Sequence, residues 1–268
     1  MYHEMINSAT KNYPFFAEHI NMKYIPHFHD ETEIVFVLEG VLSVMLGDKS
    51  FTLKKDDICI ITAGRIHNLY SYEYNKTVVM KLFPVADLEG IELSEPVISH
   101  ENDNYCLLKE YIMDMILENK TRNIGYELSV NINAEKIFLM ILRNMKYDRL
   151  ESKSKIKLVN QNELLTSVSA FLEEHYAEDF LIDDVARHLN YTKSYFCHYF
   201  KRTSGVTFWK YYTIFRLEKS VQLIRKYPKR NLIEIALSSG FKNIRSFNQA
   251  FKEYHRCTPR EYAKKYLN

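Results

Sequence analysis

Two tracts towards the C-terminal end of the chain repeat one pattern of apolar and polar positions. In the later tract, residues 233–262, Ile233, Ile235, Ala236 and Leu237 supply an apolar face and Gly240 follows. Phe247, Ala250, Phe251 and Tyr254 then recur at helical spacing. The pattern predicts a short helix, a left-handed turn at Gly240 and a second helix over about 244–254. Asn231 with Glu234 three residues on predicts a capping-box start. In the earlier tract Val185-Ala186 answers Ile235-Ala236, and Asn190-Tyr191 answers Gly240-Phe241. After a one-residue shift, Phe196, Phe200-Lys201, Val206-Thr207 and Tyr211 answer Phe247, Phe251-Lys252, Cys257-Thr258 and Tyr262. Chance would have to meet the same constraints twice, so both tracts are predicted to be helix-turn-helix units. Thr192 is the expected N-cap of the earlier second helix, 192–203. An amphipathic helix over 163–176 opens this half, with Leu164, Val168, Phe171 and Leu172 inward. Another, over 208–226, joins the two units through Leu217, Val221 and Ile224, and Pro228 ends it.

The first hundred residues carry a different period. Tracts 33–40, 41–48, 49–57, 58–65, 67–75 and 76–84 are β-branched and aromatic-rich, and Gly40, Gly47-Asp48, Asp56-Asp57, Gly64 and Asn75-Lys76 punctuate them. Many short antiparallel strands at this spacing predict a small sandwich or barrel. In 33–40 both alternating sets, Val35/Val37 and Ile34/Phe36/Leu38, are apolar, so one face fills the interior and the other needs a cover.

That cover is expected from two helices. Residues 104–119 carry Leu108, Ile112, Met115 and Ile116 on one stripe, and 126–147 carry Leu128, Ile132, Leu139 and Leu142 along one side. The segment Ile137–Leu142 is apolar nearly all round, so it should be buried from more than one direction. The barrel and a second subunit are both open as partners. Residues 151–162 are polar and free of aromatics, the composition of a linker. The expected class is therefore α+β: a barrel over 1–100, a helical packing and dimerisation segment over 101–150, a linker over 151–162 and an all-α DNA-binding domain over 163–268.

Charge separates the halves. Residues 163–268 hold 18 Lys+Arg against 11 Asp+Glu, a balance of +7, while 1–162 hold 18 against 23, a balance of −5. A basic half beside an acidic one fits DNA binding by the first. The second helix of each unit can then meet the major groove, where Arg pairs with guanine and Asn or Gln with adenine. Ser194, Tyr195 and His198 in the first unit, and Arg245, Asn248 and Gln249 in the second, are the expected base readers, with Ser246 on the same face. Lys193, Lys201, Arg202, Lys242 and Lys252 are the expected phosphate contacts. Four scattered cysteines form no C-x-x-C pair, and no signal segment or membrane-length apolar run is seen, so a reducing, cytoplasmic setting is expected. No nucleophile elbow, phosphate-binding glycine loop or informative carboxylate pair points to catalysis.

With these residues in hand, 164–268 resemble the double helix-turn-helix module of the AraC/XylS transcription regulators, through the A-x3-G-F turn at Ala236, the F-K ending each second helix and the closing T-P-x-x-Y at Thr258. Arg256 and Asn190 stand where that family usually has glycine or its usual turn residue, and Arg256 should cost stability there. The segment His27-x-His29-x3-Glu33, with Thr62-x-Gly64-x2-His67 beyond, is similar to the two cupin motifs. Asn21 and Asp56 replace the motif glycines, and Thr62 replaces the proline. The resemblance implies a barrel that senses a small molecule, a sugar or sugar derivative, a homodimer built on the middle helices, and activation through RNA polymerase. Tyr24, His27, His29, Glu33 and His67 are the expected effector-binding residues, with Phe28 as an aromatic neighbour. The same His27, His29, Glu33 and His67 form a three-nitrogen, one-oxygen set that suits a transition metal, and both uses are open. No other cofactor is expected. The alternative to a regulator is a metal-dependent cupin enzyme fused to a DNA-binding module.

Overall fold

The computed structural model describes residues 14–71, 73–83, 88 and 90–266. Tyr72 and Pro84, within tracts read as strands, lie outside the described residues, as do the first 13 residues of the expected barrel domain and the last two of the DNA-binding domain. The fold divides into two compact units, 2–162 and 163–268.

In the first unit the strands are β1 (Phe15–Ile20), β2 (Thr32–Leu46), β3 (Lys49–Lys54), β4 (Ile58–Ile61), β5 (His67–Tyr70), β6 (Asn75–Leu82), β7 (Ile91–Leu93), β8 (Val97–Ile98) and β9 (Tyr147–Arg149). Strand β2 organises them. Its first half pairs antiparallel with β4 and β6, and its second half pairs with β3 and β5. The strand expected to end at Gly40 runs through it to Leu46. A register shift between Val37 and Glu39 and a positive φ of 77° at Gly40 bend it into the second set of partners. Only glycine fits, because an added Cβ would lie 1.9 Å from the Tyr74 carbonyl oxygen.

The pleat of β2 then separates two cores. Ile34 and Phe36 face outward with Ile58, Ile60, Val78 and Met80, and helices α1 (Tyr105–Thr121) and α2 (Tyr126–Asn144) cover them. Val35 and Val37 face inward with Leu42, Val44, Leu53, Cys59, Ile61, Leu69 and Val79, filling the barrel with side chains. Leu108, Ile112, Met115 and Ile116 are buried as the pattern required. On α2 the buried face is Val130, Ala134, Ile137, Phe138 and Ile141, and the stripe of Leu128, Ile132 and Leu139 is exposed at 66%, 47% and 44%. Asn21 and Asp56 adopt φ of 55° and 72°, the left-handed conformation that Asn and Asp tolerate in place of glycine.

Residues 152–162, expected as a linker, are helical. They form the first turns of α3 (Ser152–His175), which continues without a break into the second unit. Composition misled here, because the helix is held by particular contacts within the first unit. Asn162 Nδ2 donates to the Gly64 carbonyl at 3.1 Å, and the Lys155 side chain lies against Gly90.

The second unit comprises the rest of α3 with α4 (Ile182–His188), α5 (Lys193–Ser204), α6 (Phe208–Lys226), α7 (Leu232–Ser238), α8 (Ile244–His255) and α9 (Pro259–Tyr266). Helix α6 serves both repeats. Its Tyr211 ring packs edge-on against Phe200 of the first, and its Leu217, Val221 and Ile224 share a core with Ile235, Ala236, Phe247 and Phe251 of the second. Among the described residues no helix is long and apolar enough to cross a membrane.

Candidate DNA interface and barrel cluster

The two helix-turn-helix units match bond for bond. Tyr191 N donates to Ala186 O at 2.8 Å, and Phe241 N donates to Ala236 O at 3.0 Å. The turn residues Asn190 and Gly240 have φ of 59° and 84°. Thr192 caps α5 by accepting from Tyr195 N, and Asn243 caps α8 by accepting from Ser246 N at 2.8 Å. Asn231 caps α7 by accepting from Ile233 N, but the expected capping box is incomplete: the Glu234 carboxylate turns to Arg230 at 3.3 Å. Each second helix ends in the left-handed conformation, at Gly205 with φ 76° and at Arg256 with φ 57°.

These helices divide cleanly by face. Phe196, Phe200, Phe247 and Phe251 are fully buried. Lys193, Ser194, Tyr195, His198, Lys201 and Arg202 on α5 are exposed. So are Arg245, Ser246, Asn248, Gln249 and Lys252 on α8, and Lys242 in the turn before it. Two of the cations have carboxylate neighbours: Lys193 Nζ lies 2.9 Å from Asp183, and Lys242 Nζ 3.5 Å from Asp179. The Ser246 hydroxyl donates to Asn243 O at 2.9 Å, which ties it to the helix start.

At one end of the barrel, His27, His29, Glu33 and His67 come together from three segments. Glu33 sits at the start of β2 on the inward face, two residues before Val35. His67 opens β5, and its backbone pairs with His27 through two reciprocal bonds of 2.9 Å. His29 is fixed by its carbonyl, which accepts from Gly64 N at 2.8 Å. One ligand atom from each of the four lies within 4.8 Å of the others, and all four residues are buried. Tyr24 adjoins them, its ring centroid 5.7 Å from that of His27, and Phe28 is half-buried in the intervening segment.

Each imidazole is oriented from behind. Nδ1 of His27, His29 and His67 lies 2.8, 3.0 and 2.8 Å from the carbonyl oxygens of Ile25, Glu31 and Arg65. A carbonyl only accepts, so Nδ1 carries the proton in all three rings. Two of the Nε2 atoms face the carboxylate: His29 Nε2 is 2.9 Å from Glu33 Oε2, and His67 Nε2 is 3.7 Å from Glu33 Oε1. Burial, and then the neighbouring His29, pulls His27 down to about 3. Burial and then His27 hold His67 well below the ordinary imidazole value. Lys81, outside the residues expected here, stands directly across the β2–β6 ladder from Glu33 and is 2% exposed. A lone lysine inside the apolar run of β6 was the available signal.

Comparison with known proteins accounts for both halves. Residues 12–77 match the AraC-like ligand binding domain and residues 185–265 a helix-turn-helix domain. The chain carries an AraC-like ligand binding domain and a helix-turn-helix domain, and its relatives are named as transcription regulators. Among its relatives, the HTH-type transcriptional regulator YdeC of Bacillus subtilis is 24% identical over 90% of this chain and 87% of its own. The HTH-type transcriptional activator RhaS of Shigella sonnei is 24% identical over 88% and 86%. The crystal structure of an apo ToxT variant from Vibrio cholerae shares the fold, with a TM-score of 0.51 at 15% identity over 92% of this chain and 96% of that one. Unsaturated fatty acid bound ToxT follows at 0.50 and 14%, over 94% and 95%. The chain thus joins an N-terminal AraC-like ligand binding domain to a C-terminal helix-turn-helix region.

Proposed function

We propose that this regulator reads a two-part DNA site through α5 and α8, and that a small molecule at the polar end of the barrel controls the reading. The observation that carries the DNA part is the repeated turn with its twelve exposed polar side chains facing away from the buried phenylalanines. Ser194, Tyr195 and His198 meet base edges in one major-groove segment, and Arg245, Asn248 and Gln249 in the next, with Ser246 beside them. Lys201, Arg202 and Lys252 meet phosphates directly. Lys193 and Lys242 do so by exchanging their carboxylate neighbours for the backbone. Because α6 packs into both repeats, the DNA bends to engage both helices.

The effector site in this reading is the cluster of Tyr24, His27, His29, Glu33 and His67, the polar end of an otherwise apolar interior. A sugar is the organic class that the sequence resemblance implies. The exposed stripe of Leu128, Ile132 and Leu139 on α2 pairs with the same stripe of a second copy, giving a homodimer. Activation through contact with RNA polymerase fits the activator relatives. The test is a binding titration on the DNA upstream of the chain's own coding region, at low and moderate salt. Selective, salt-sensitive binding is expected. Equal affinity for upstream and scrambled DNA would remove the regulator's sequence-reading role.

A further inference from the structure

We propose that the exposed patch of Phe180, Leu181 and Trp209 docks a partner protein when the chain is on DNA. The partner segment sets an apolar anchor between lysines or arginines. The inference rests on the reading above in which Lys193 and Lys242 pass from their carboxylates to phosphates.

The internal repeat is the control. Aligned through the caps of α4 and α7, Phe180 and Leu181 stand where the second unit has Arg230 and Asn231. Thr207 caps α6 by accepting from Lys210 N, as Thr258 accepts from Glu261 N in the second unit. Trp209 and Tyr212 then stand where the second unit has Arg260 and Ala263. The second unit makes the same turn without this aromatic set, so the fold does not demand it. Leu181 also forgoes a cap, whereas Asn231 accepts from Ile233 N at 2.9 Å. Leu181 is nevertheless 68% exposed and Trp209 47%. Phe180 stacks on Trp209 at 13° with centroids 6.3 Å apart, and packs on Tyr212 at 4.8 Å. An exposed, rigid aromatic set of this kind is the composition of an interface centre.

Charge selects the partner. Glu178 and Asp179 precede the patch in the chain, and Asp183 and Asp184 follow it. Off DNA these acids are occupied. Asp183 pairs with Lys193 at 2.9 Å, Asp179 with Lys242 at 3.5 Å and Glu178 with His175 at 3.0 Å. Asp184 accepts from Leu181 N and lies 3.4 Å from Arg187. On the side of α6, Arg216 lies over the Tyr212 ring and donates to the carbonyls of Tyr176 and Glu178, and Lys210 is exposed next to Trp209. When phosphates take Lys193 and Lys242, Asp179 and Asp183 lose their counterions and the rim turns acidic. An acidic rim repels the duplex and attracts a basic partner. DNA and partner then favour each other's binding reciprocally.

Trp209 is the chain's single tryptophan, so its emission and its quenching by acrylamide read the patch directly. The test titrates the full chain, free and bound to its upstream DNA, with a set of synthetic tryptophan-free peptides. Each peptide places one leucine or phenylalanine between lysines and arginines. Members of the set should shield Trp209, binding the DNA-bound chain at least about 5-fold more tightly than the free chain. Counterparts with glutamate for the cations should not shield it. Leu181→Asn imports the second unit's cap, so it should fold and keep its DNA affinity while losing the shielding. Asp179→Asn with Asp183→Asn should bind peptide equally on and off DNA. No shielding by any basic peptide, or equal shielding of the Leu181→Asn variant, overturns the docking site. Shielding by DNA alone would put the patch against the duplex, and concentration-dependent shielding without peptide would put a second copy there; either overturns the partner. Equal peptide affinity for free and DNA-bound chain overturns the dependence on DNA. A DNA titration without peptide reads selective binding separately, so failure of this inference is distinguishable from failure of the DNA reading.

Discussion

Asn190 and Gly240 occupy equivalent places in the two repeats, each in the left-handed conformation and each followed by an aromatic residue whose amide bonds back to a buried alanine. Their surroundings differ. A Cβ on Gly240 would lie 2.3 Å from Tyr176 O and 2.6 Å from Arg216 Nε, two atoms that hydrogen-bond each other at 2.7 Å. Gly240→Ala should therefore cost about 1–3 kcal/mol from the backbone and a further ~1–3 kcal/mol from the clash. Gly47→Ala, also at positive φ but with nothing within 4 Å of its Cβ, should show only the backbone part. Equal losses of stability in urea titrations of the two variants would show that the packing against Arg216 is immaterial.

Arg256 sits at the left-handed end of α8 with φ 57°, where a Cβ is strained. Arg256→Gly should stabilise the chain by about 1 kcal/mol, read as a higher Tm. A fall in Tm would mean that the arginine side chain's own interactions outweigh the strain.

The two proposed classes of DNA contact should separate by their dependence on sequence. Arg245→Ala should weaken binding to the matched site by roughly 1–3 kcal/mol and relax one base preference. Lys201→Ala should weaken binding to all sequences alike and lower the salt dependence by about one counterion. If Arg245→Ala lost as much on scrambled as on matched DNA, its base-reading role would be refuted.

Leu128 and Ile132 are exposed at 66% and 47% on a stable helix, so polar replacements disturb no intrachain core. Leu128→Asp with Ile132→Asp should leave the chain's stability within about 0.5 kcal/mol of the parent. On the proposed pairing, sedimentation should show the parent as a dimer and the variant as a monomer at the same concentration. An unchanged mass distribution would place the dimer contact elsewhere or nowhere on α2.

Much of this protein was legible in its sequence because the relevant signals are local. The helical spacing of Phe247 and Phe251, the caps at Thr192 and Asn231 and the left-handed turns at Asn190 and Gly240 each depend on a few neighbouring residues, so periodicity and turn chemistry determine them. The inward direction of His27 and His29 was legible for the same reason, since residues two apart on extended chain share a face.

What only the tertiary structure decided depends on strands and segments far apart in the chain. The side of α2 that the barrel covers, the passage of β2 through Gly40 and the helical state of residues 152–162 follow from contacts that no local pattern encodes. The register that sets Lys81 opposite Glu33 is one such contact, and the carbonyls of Ile25, Glu31 and Arg65 that hold the Nδ1 atoms of the three histidines are others. Composition supplies the ligand types, but convergence of four of them within 4.8 Å requires strand register, which is a property of the folded sheet.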